Sequence, residues 1–238
     1  MNSTTPVASP TEAAHAVPPR FNIYALIHKG LRAHLTHTLV AVGAMDVDDA
    51  EDVHAVLSDV RALLALLTGH IRHENGFVHP AMEARRAGSA VHTADDHVEH
   101  RMEIDAIGAL VAAVEEAAGI DRQRAADRLY RRLALFVAEN FVHMHTEETD
   151  NNAVLWAEYA DDELLAIDRA IVASLPPDEV AVVMRWFGIG MNHGERVQML
   201  SEIRAAAPAP VFAGLVGLMG TQLAARDREK LARALAQS

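Results

Sequence analysis

Two histidine–glutamate pairs in this chain stand at a spacing that brings nitrogen and carboxylate oxygen to one place. His70 precedes Glu74 by four residues, and His143 precedes Glu147 by four. On a helix, residues i and i+4 share a face with Cβ atoms ~6 Å apart, so each pair can aim at one point. His28 and His100 lie in separate segments and offer one further imidazole each. The pattern is His, His-x-x-x-Glu, His, His-x-x-x-Glu. Two bridging carboxylates and four imidazoles would serve two metal ions and leave both coordination spheres incomplete. Imidazole with carboxylate suits iron, and also manganese or zinc. Open positions on adjacent ions would admit oxygen, peroxide or a bridging oxide.

These residues need rigid elements to hold them. Apolar residues recur at three- and four-residue spacing over about 22–43, 50–86, 93–118 and 121–168, the last with a break near 149–152, which predicts four long amphipathic helices. Gly43, Gly88 and Gly119 fall where C-terminal caps belong, and the short links imply antiparallel neighbours in an up-down bundle. A helix advances ~100° per residue. On that basis His28 lies in the apolar stripe of the first helix, His70 and Glu74 in that of the second, His100 near the centre of the third, and His143 with Glu147 in the fourth. His34, His37, His73, His79 and His145 fall at edges or outward, and His97 at the margin. A lone histidine on an apolar face is commonly a hydrogen-bonded core residue. Two buried His-x-x-x-Glu pairs in one bundle need a shared explanation, because an unpaired buried carboxylate costs several kcal/mol.

Composition narrows the chemistry. The chain has 238 residues, 14 histidines and no cysteine, so disulfides, thiolate zinc sites, iron–sulfur clusters and a cysteine nucleophile are excluded. Half of it is hydrophobic and only 5% aromatic, a balance that favours helix on helix. A net charge of −12 argues against nucleic acid as a partner. Residues 1–20 read as a solvated tail without a secretory core, and no apolar run is long enough to span a membrane. The expectation is a cytoplasmic protein, with a homodimer allowed. From Pro176 shorter segments follow (178–188, 194–206, 209–219, 221–236), an all-helical appendage. The division is therefore a tail at 1–20, a bundle at 21–172 and a C-terminal extension at 176–238.

The segments LIHKGLRAHL, HIRHENGFVHPAME, DDHVEHRMEI and FVHMHTEETDNN resemble the successive helices of hemerythrin-like (HHE cation-binding) domains. The second is the most specific, with His70, Glu74, Phe77 and Pro80 in H-x-x-x-E followed by F-x-x-P. The likeness covers about residues 22–165. It implies an all-α up-down four-helix bundle with an oxo- or hydroxo-bridged di-iron centre held by His28, His70, Glu74, His100, His143 and Glu147, manganese or zinc ranking behind iron. It departs from the oxygen carriers, which place two histidines four apart on the third helix. Here Ile104 lies four beyond His100 and Asp96 four before, and His97 has Arg101 at that offset. His97, Glu103 and Glu148 stay open as further ligands, with Asn140 and Tyr24 as candidates beside the site. With fewer histidines than a carrier, the resemblance points to O2 or H2O2 as the small-molecule partner of catalase-like, oxidase or oxygenase chemistry. Oxygen or redox sensing, iron handling and a zinc-bound structural bundle are the alternatives.

Overall fold

Asp49 opens the second helix by accepting hydrogen bonds from the backbone N–H groups of Glu51 and Asp52, which would otherwise be unsatisfied. The computed structural model describes residues 20–237, and the regular elements among them are all helices. Four are long: α1 (Ala25–Ala44), α2 (Ala50–His73), α4 (Val91–Glu116) and α5 (Gly119–Thr146). Helix α1 packs on α2 and α5, and α4 packs on the same two, so the four close a ring. Leu35, Leu57, Leu63, Ile107, Leu129, Leu133 and Phe136 fill its interior and are fully buried. Burial of each such side chain contributes about 1.5–3 kcal/mol.

Gly88, in the turn before α4, has φ +80°, the left-handed region a side chain would resist. Gly43 does not cap: it is helical, and a Cβ there would lie 2.9 Å from the Tyr130 ring. It permits close packing of α1 on α5.

Two helical runs widen into π-helical turns, each beginning at a glutamate of the sequence pattern. Glu74–Val78 joins α2 to α3 (His79–Arg85), and Glu147–Asn151 joins α5 to α6 (Asn152–Glu158). In each, an amide reaches back five residues, His79 N–H to the Glu74 carbonyl and Asn152 N–H to the Glu147 carbonyl. Pro80, which has no N–H to give, explains the first. The Asn152 side chain donates to the Glu148 carbonyl at 3.1 Å, occupying an acceptor of the second. The helix therefore continues through Pro80, and the expected break at 149–152 is a widened turn. The second of these runs stops being helical only at Tyr159, before α7 (Asp161–Ser174). Beyond the two wide turns, Tyr24, Val78, Met82, Leu155 and Leu164 form a second, smaller core.

The C-terminal part is α8 (Pro177–Gly190), α9 (His193–Ala206), α10 (Ala209–Gly220) and α11 (Ala225–Leu235). Helix α8 lies along α1 and also touches α2. A Cβ on Gly190 would sit 2.5 Å from the Lys29 carbonyl, and one on Gly30 would sit 3.0 Å from the Phe187 ring. At 190 only glycine allows this approach, whereas a side chain at 30 would have to displace the Phe187 ring. Arg20 is tied to Asp161 at 2.6 Å, and the remainder of the expected N-terminal tail lies outside the described residues. Among the described residues no helix is long and apolar enough to cross a membrane.

Candidate metal centre

The ring of four long helices brings six side chains together between its two cores. His28, His70, Glu74 and Glu147 form one group of buried donors, and Glu74, His97, His143 and Glu147 a second. Within each group the donor atoms lie inside 4.8 Å of one another, an arrangement that could hold a metal ion. The glutamates belong to both groups.

The distances divide the donors cleanly. On one side His28 Nε2 is 3.4 Å from Glu147 Oε2 and 3.8 Å from Glu74 Oε1, which is 3.3 Å from His70 Nε2. On the other, His97 Nε2 is 3.4 Å from Glu74 Oε2 and 3.6 Å from Glu147 Oε1, which is 3.3 Å from His143 Nε2. Each carboxylate thus gives one oxygen to each group. Donors about 2.0–2.2 Å from a shared ion stand about 3.0–3.5 Å apart across it, close to these separations. Among the described residues, His28 Nε2, His70 Nε2 and both oxygens of each glutamate have no hydrogen-bond partner. Buried polar atoms are seldom left so, and donors aimed inward without partners are what a metal requires.

The far nitrogens of three imidazoles are anchored. Nδ1 of His28 donates to Glu148 at 3.0 Å, Nδ1 of His97 to Asn75 at 2.8 Å, and Nδ1 of His143 to Asp96 at 3.1 Å. Arg32 in turn donates to both oxygens of Glu148, at 2.5 and 3.1 Å. Such partners fix the tautomer that points Nε2 at the ion and raise its basicity. Asn75 follows Glu74 and Glu148 follows Glu147, so each wide turn sends one side chain to the centre and the next to a histidine on the opposite pair of helices.

Charges in the cluster are mutually held. Burial opposes the imidazolium of His28, but Glu147, Glu148 and Glu74 outweigh it and raise the group to about 10. His97 goes to about 9 against the same penalty, through Glu147 and Glu74. Burial would raise the Glu147 carboxyl, yet His143, His28 and His97 bring it well down. Burial takes His70 to about 4 and, with His143 and His97 adding to it, His100 to about 4. Burial lifts Tyr24 above the phenol range, and the charges of Glu147 and Glu74 lift it further.

Of the residues read from sequence, His28, His70, Glu74, His143 and Glu147 meet here. His100 belongs to neither donor group; its ring lies edge-on to His143 and to Phe136. His97 takes the place beside His143. The α4 stripe is two columns, 97–104–111 and 100–107–114, both buried; only the first meets the glutamates, and spacing along one helix does not say which column does.

Other expectations about helix faces are corrected. His79 is buried and stacked on His97, because the π turn shifts everything after Glu74 relative to a regular helix. His73 and His34 are buried beneath α8, against Glu179 at 3.4 Å and stacked on Trp186 at 4.0 Å. Tyr24, a candidate beside the site, is 1% exposed, and its hydroxyl accepts from Asn151 at 3.3 Å. Glu103 is paired with Arg132, and Asn140 donates to the Phe136 carbonyl, so neither reaches the cluster. Asn75 was not singled out from sequence, and Asp96 only as the residue four before His100, although both sit next to a donor.

Compared with protein-family models, with characterised proteins and with solved structures, the chain matches none.

Proposed function

We propose that this chain is a hemerythrin-like di-iron protein whose buried centre reacts with O2 or peroxide, in catalase-like or oxidase/oxygenase chemistry. One observation carries the reading: two four-donor groups share both glutamates, each carboxylate offering one oxygen to each group. His28, His70, His97 and His143 would be the terminal ligands, with Glu74 and Glu147 as bridges. Two irons so held supply a two-electron couple next to unfilled coordination positions. The chain's own residues do the rest. Glu148, Asn75 and Asp96 orient imidazoles, the two apolar cores keep water away, and Tyr24 stands beside His28 with ring centroids 5.2 Å apart. In this reading α1, α2, α4 and α5, with their π continuations, are the up-down four-helix bundle, and α8–α11 are an appended C-terminal unit. Manganese or zinc could occupy the same donors, but four imidazoles favour iron over manganese, and shared carboxylates suit an ion that changes valence. The acidic chain is assigned to the cytoplasm, with no nucleic acid or membrane partner and with a homodimer allowed.

The test is to mix reduced protein with O2 and, separately, with H2O2 while following absorbance and products. Oxygen evolution from peroxide supports a catalase-like role, and consumption of oxidant only with an added organic reductant supports an oxidase or oxygenase. Inertness to both sinks the reading. A second reading, sensing of oxygen or redox state, is favoured by one contact: Gly190 of α8 sits on the Lys29 carbonyl, next to His28. Reversible binding without turnover, with altered exposure of α8, would select it.

A further inference from the structure

Glu74 and Glu147 are 3% and 0% exposed, so an ion must travel through the protein to reach them. Among the six donor residues, His143 lines a groove of about 570 Å³ between α4 and α5. No lysine or arginine lines that groove, whereas four carboxylates do. Arg132 neutralises Glu103, and Asp96 holds His143. Glu99 and Glu139 form no hydrogen bond or ion pair among the described residues, so their charge is free to act on solvent ions.

His100 lines the groove without belonging to either donor group. Its side chain is 7% exposed, and its ring centroid is 4.7 Å from that of His143. Among the described residues it makes ring contacts with His143 and Phe136 but no hydrogen bond. Neither ring nitrogen of His100 is among the buried atoms left without a partner, so both are open to the water of the groove and to an ion that enters it. His100 shares the groove with the exposed Glu99 and Glu139 and touches the one donor histidine that the groove reaches.

We propose that the α4–α5 groove is the loading route for divalent metal cations, with His100 a transient ligand that passes the ion to His143 and on to the shared glutamates. The inference rests on the donor cluster being a metal centre. Glu99 and Glu139 gather the cation at the mouth. His100 exchanges one hydration water for a nitrogen, and Asp96 keeps His143 turned to receive the ion.

Cobalt(II) is the probe, added to metal-depleted full-length protein in a stopped-flow instrument and followed by its visible absorption. His100→Ala is expected to slow uptake about tenfold while two cobalts still bind with an unchanged final spectrum. Removing two charges at the mouth (Glu99→Gln with Glu139→Gln) lowers the on-rate and flattens its dependence on ionic strength, by up to about tenfold at low salt. Both substituted carboxylates are exposed, so this variant keeps the test sound if His100→Ala folds poorly. His145→Ala, off the groove, loads at the normal rate. Normal loading in both groove variants overturns the route. Loss of one cobalt in His100→Ala also overturns it, by making His100 a permanent ligand. Failure of the unsubstituted protein to take two cobalts overturns the metal centre itself.

Discussion

The Nε2 atoms of His97 and His143 face each other across 3.0 Å, while each ring's Nδ1 is held from behind by Asn75 and Asp96 respectively. Both Nδ1 atoms therefore donate, and both Nε2 atoms present lone pairs to one another. Two such nitrogens at this distance need a positive charge between them. In the metal-free protein that charge is a proton, consistent with His97 being held at about 9. A metal ion would replace it.

Metal loading should accordingly release protons. His28, at about 10, and His97, at about 9, are charged at neutral pH, and each must give up its proton to bind an ion. At pH 7 about two protons per chain should appear in weakly buffered solution on saturation with metal, and affinity should fall as pH is lowered. The metal-free protein has its own pH dependence. Both imidazoles have folded pKa values above their unfolded value, so their stabilising contribution is complete below about 6.5 and is lost as pH rises through 9 and 10. Thermal denaturation of the metal-free chain should show Tm falling from pH 7 to pH 10. A release of no protons would contradict this account of the cluster.

Glu74 and Glu147 each serve both groups, so replacing either should cost both ions. Glu74→Ala and Glu147→Ala are expected to retain well under one metal per chain, whereas His70→Ala, which breaks one group, keeps about half. Elemental analysis after gel filtration reads the difference. Equal retention in all three would mean that the carboxylates do not bridge.

Glu148 and Asn75 act through His28 and His97 rather than on the ions. Glu148→Ala and Asn75→Ala should weaken metal binding about 10–100-fold without abolishing it. Glu148→Gln, which keeps an acceptor for the His28 ring, should recover most of the loss. Competition with a chelator of known affinity measures the effect, and a Gln variant no better than Ala would argue against an orienting role.

The docking of α8 on α1 should be costly to disturb. Trp186 is 5% exposed and stacks on the buried His34 ring, so Trp186→Ala should destabilise the protein by about 3–5 kcal/mol. Gly190→Ala drives a methyl group into the Lys29 carbonyl and should cost about 1–3 kcal/mol. Chemical denaturation checks both, and values near zero would show that α8 is loosely attached.

Much of the long-helix pattern was legible because Leu, Ile and Val repeat at helical spacing, and five of the six converging donors stood on those stripes. The choice between His97 and His100 was not legible. The two sit in adjacent core columns, and only the position of Glu74 and Glu147 across the ring separates them. His79 was misplaced for a local reason, since regular helical advance fails through a π turn. His34 and His73 were misread for a distant one: the cover over them comes from Trp186 and Glu179, more than a hundred residues away. The anchoring of His97 by Asn75, and of His28 by Glu148, likewise exists only once four helices meet.

The most direct measurement is the metal content and spectrum of the protein purified aerobically from cells grown with ordinary iron and zinc. Close to two irons per chain are expected, with near-ultraviolet absorption of a carboxylate-bridged ferric pair that disappears in Glu147→Ala. Stoichiometric zinc with no iron-dependent absorption would contradict the di-iron centre.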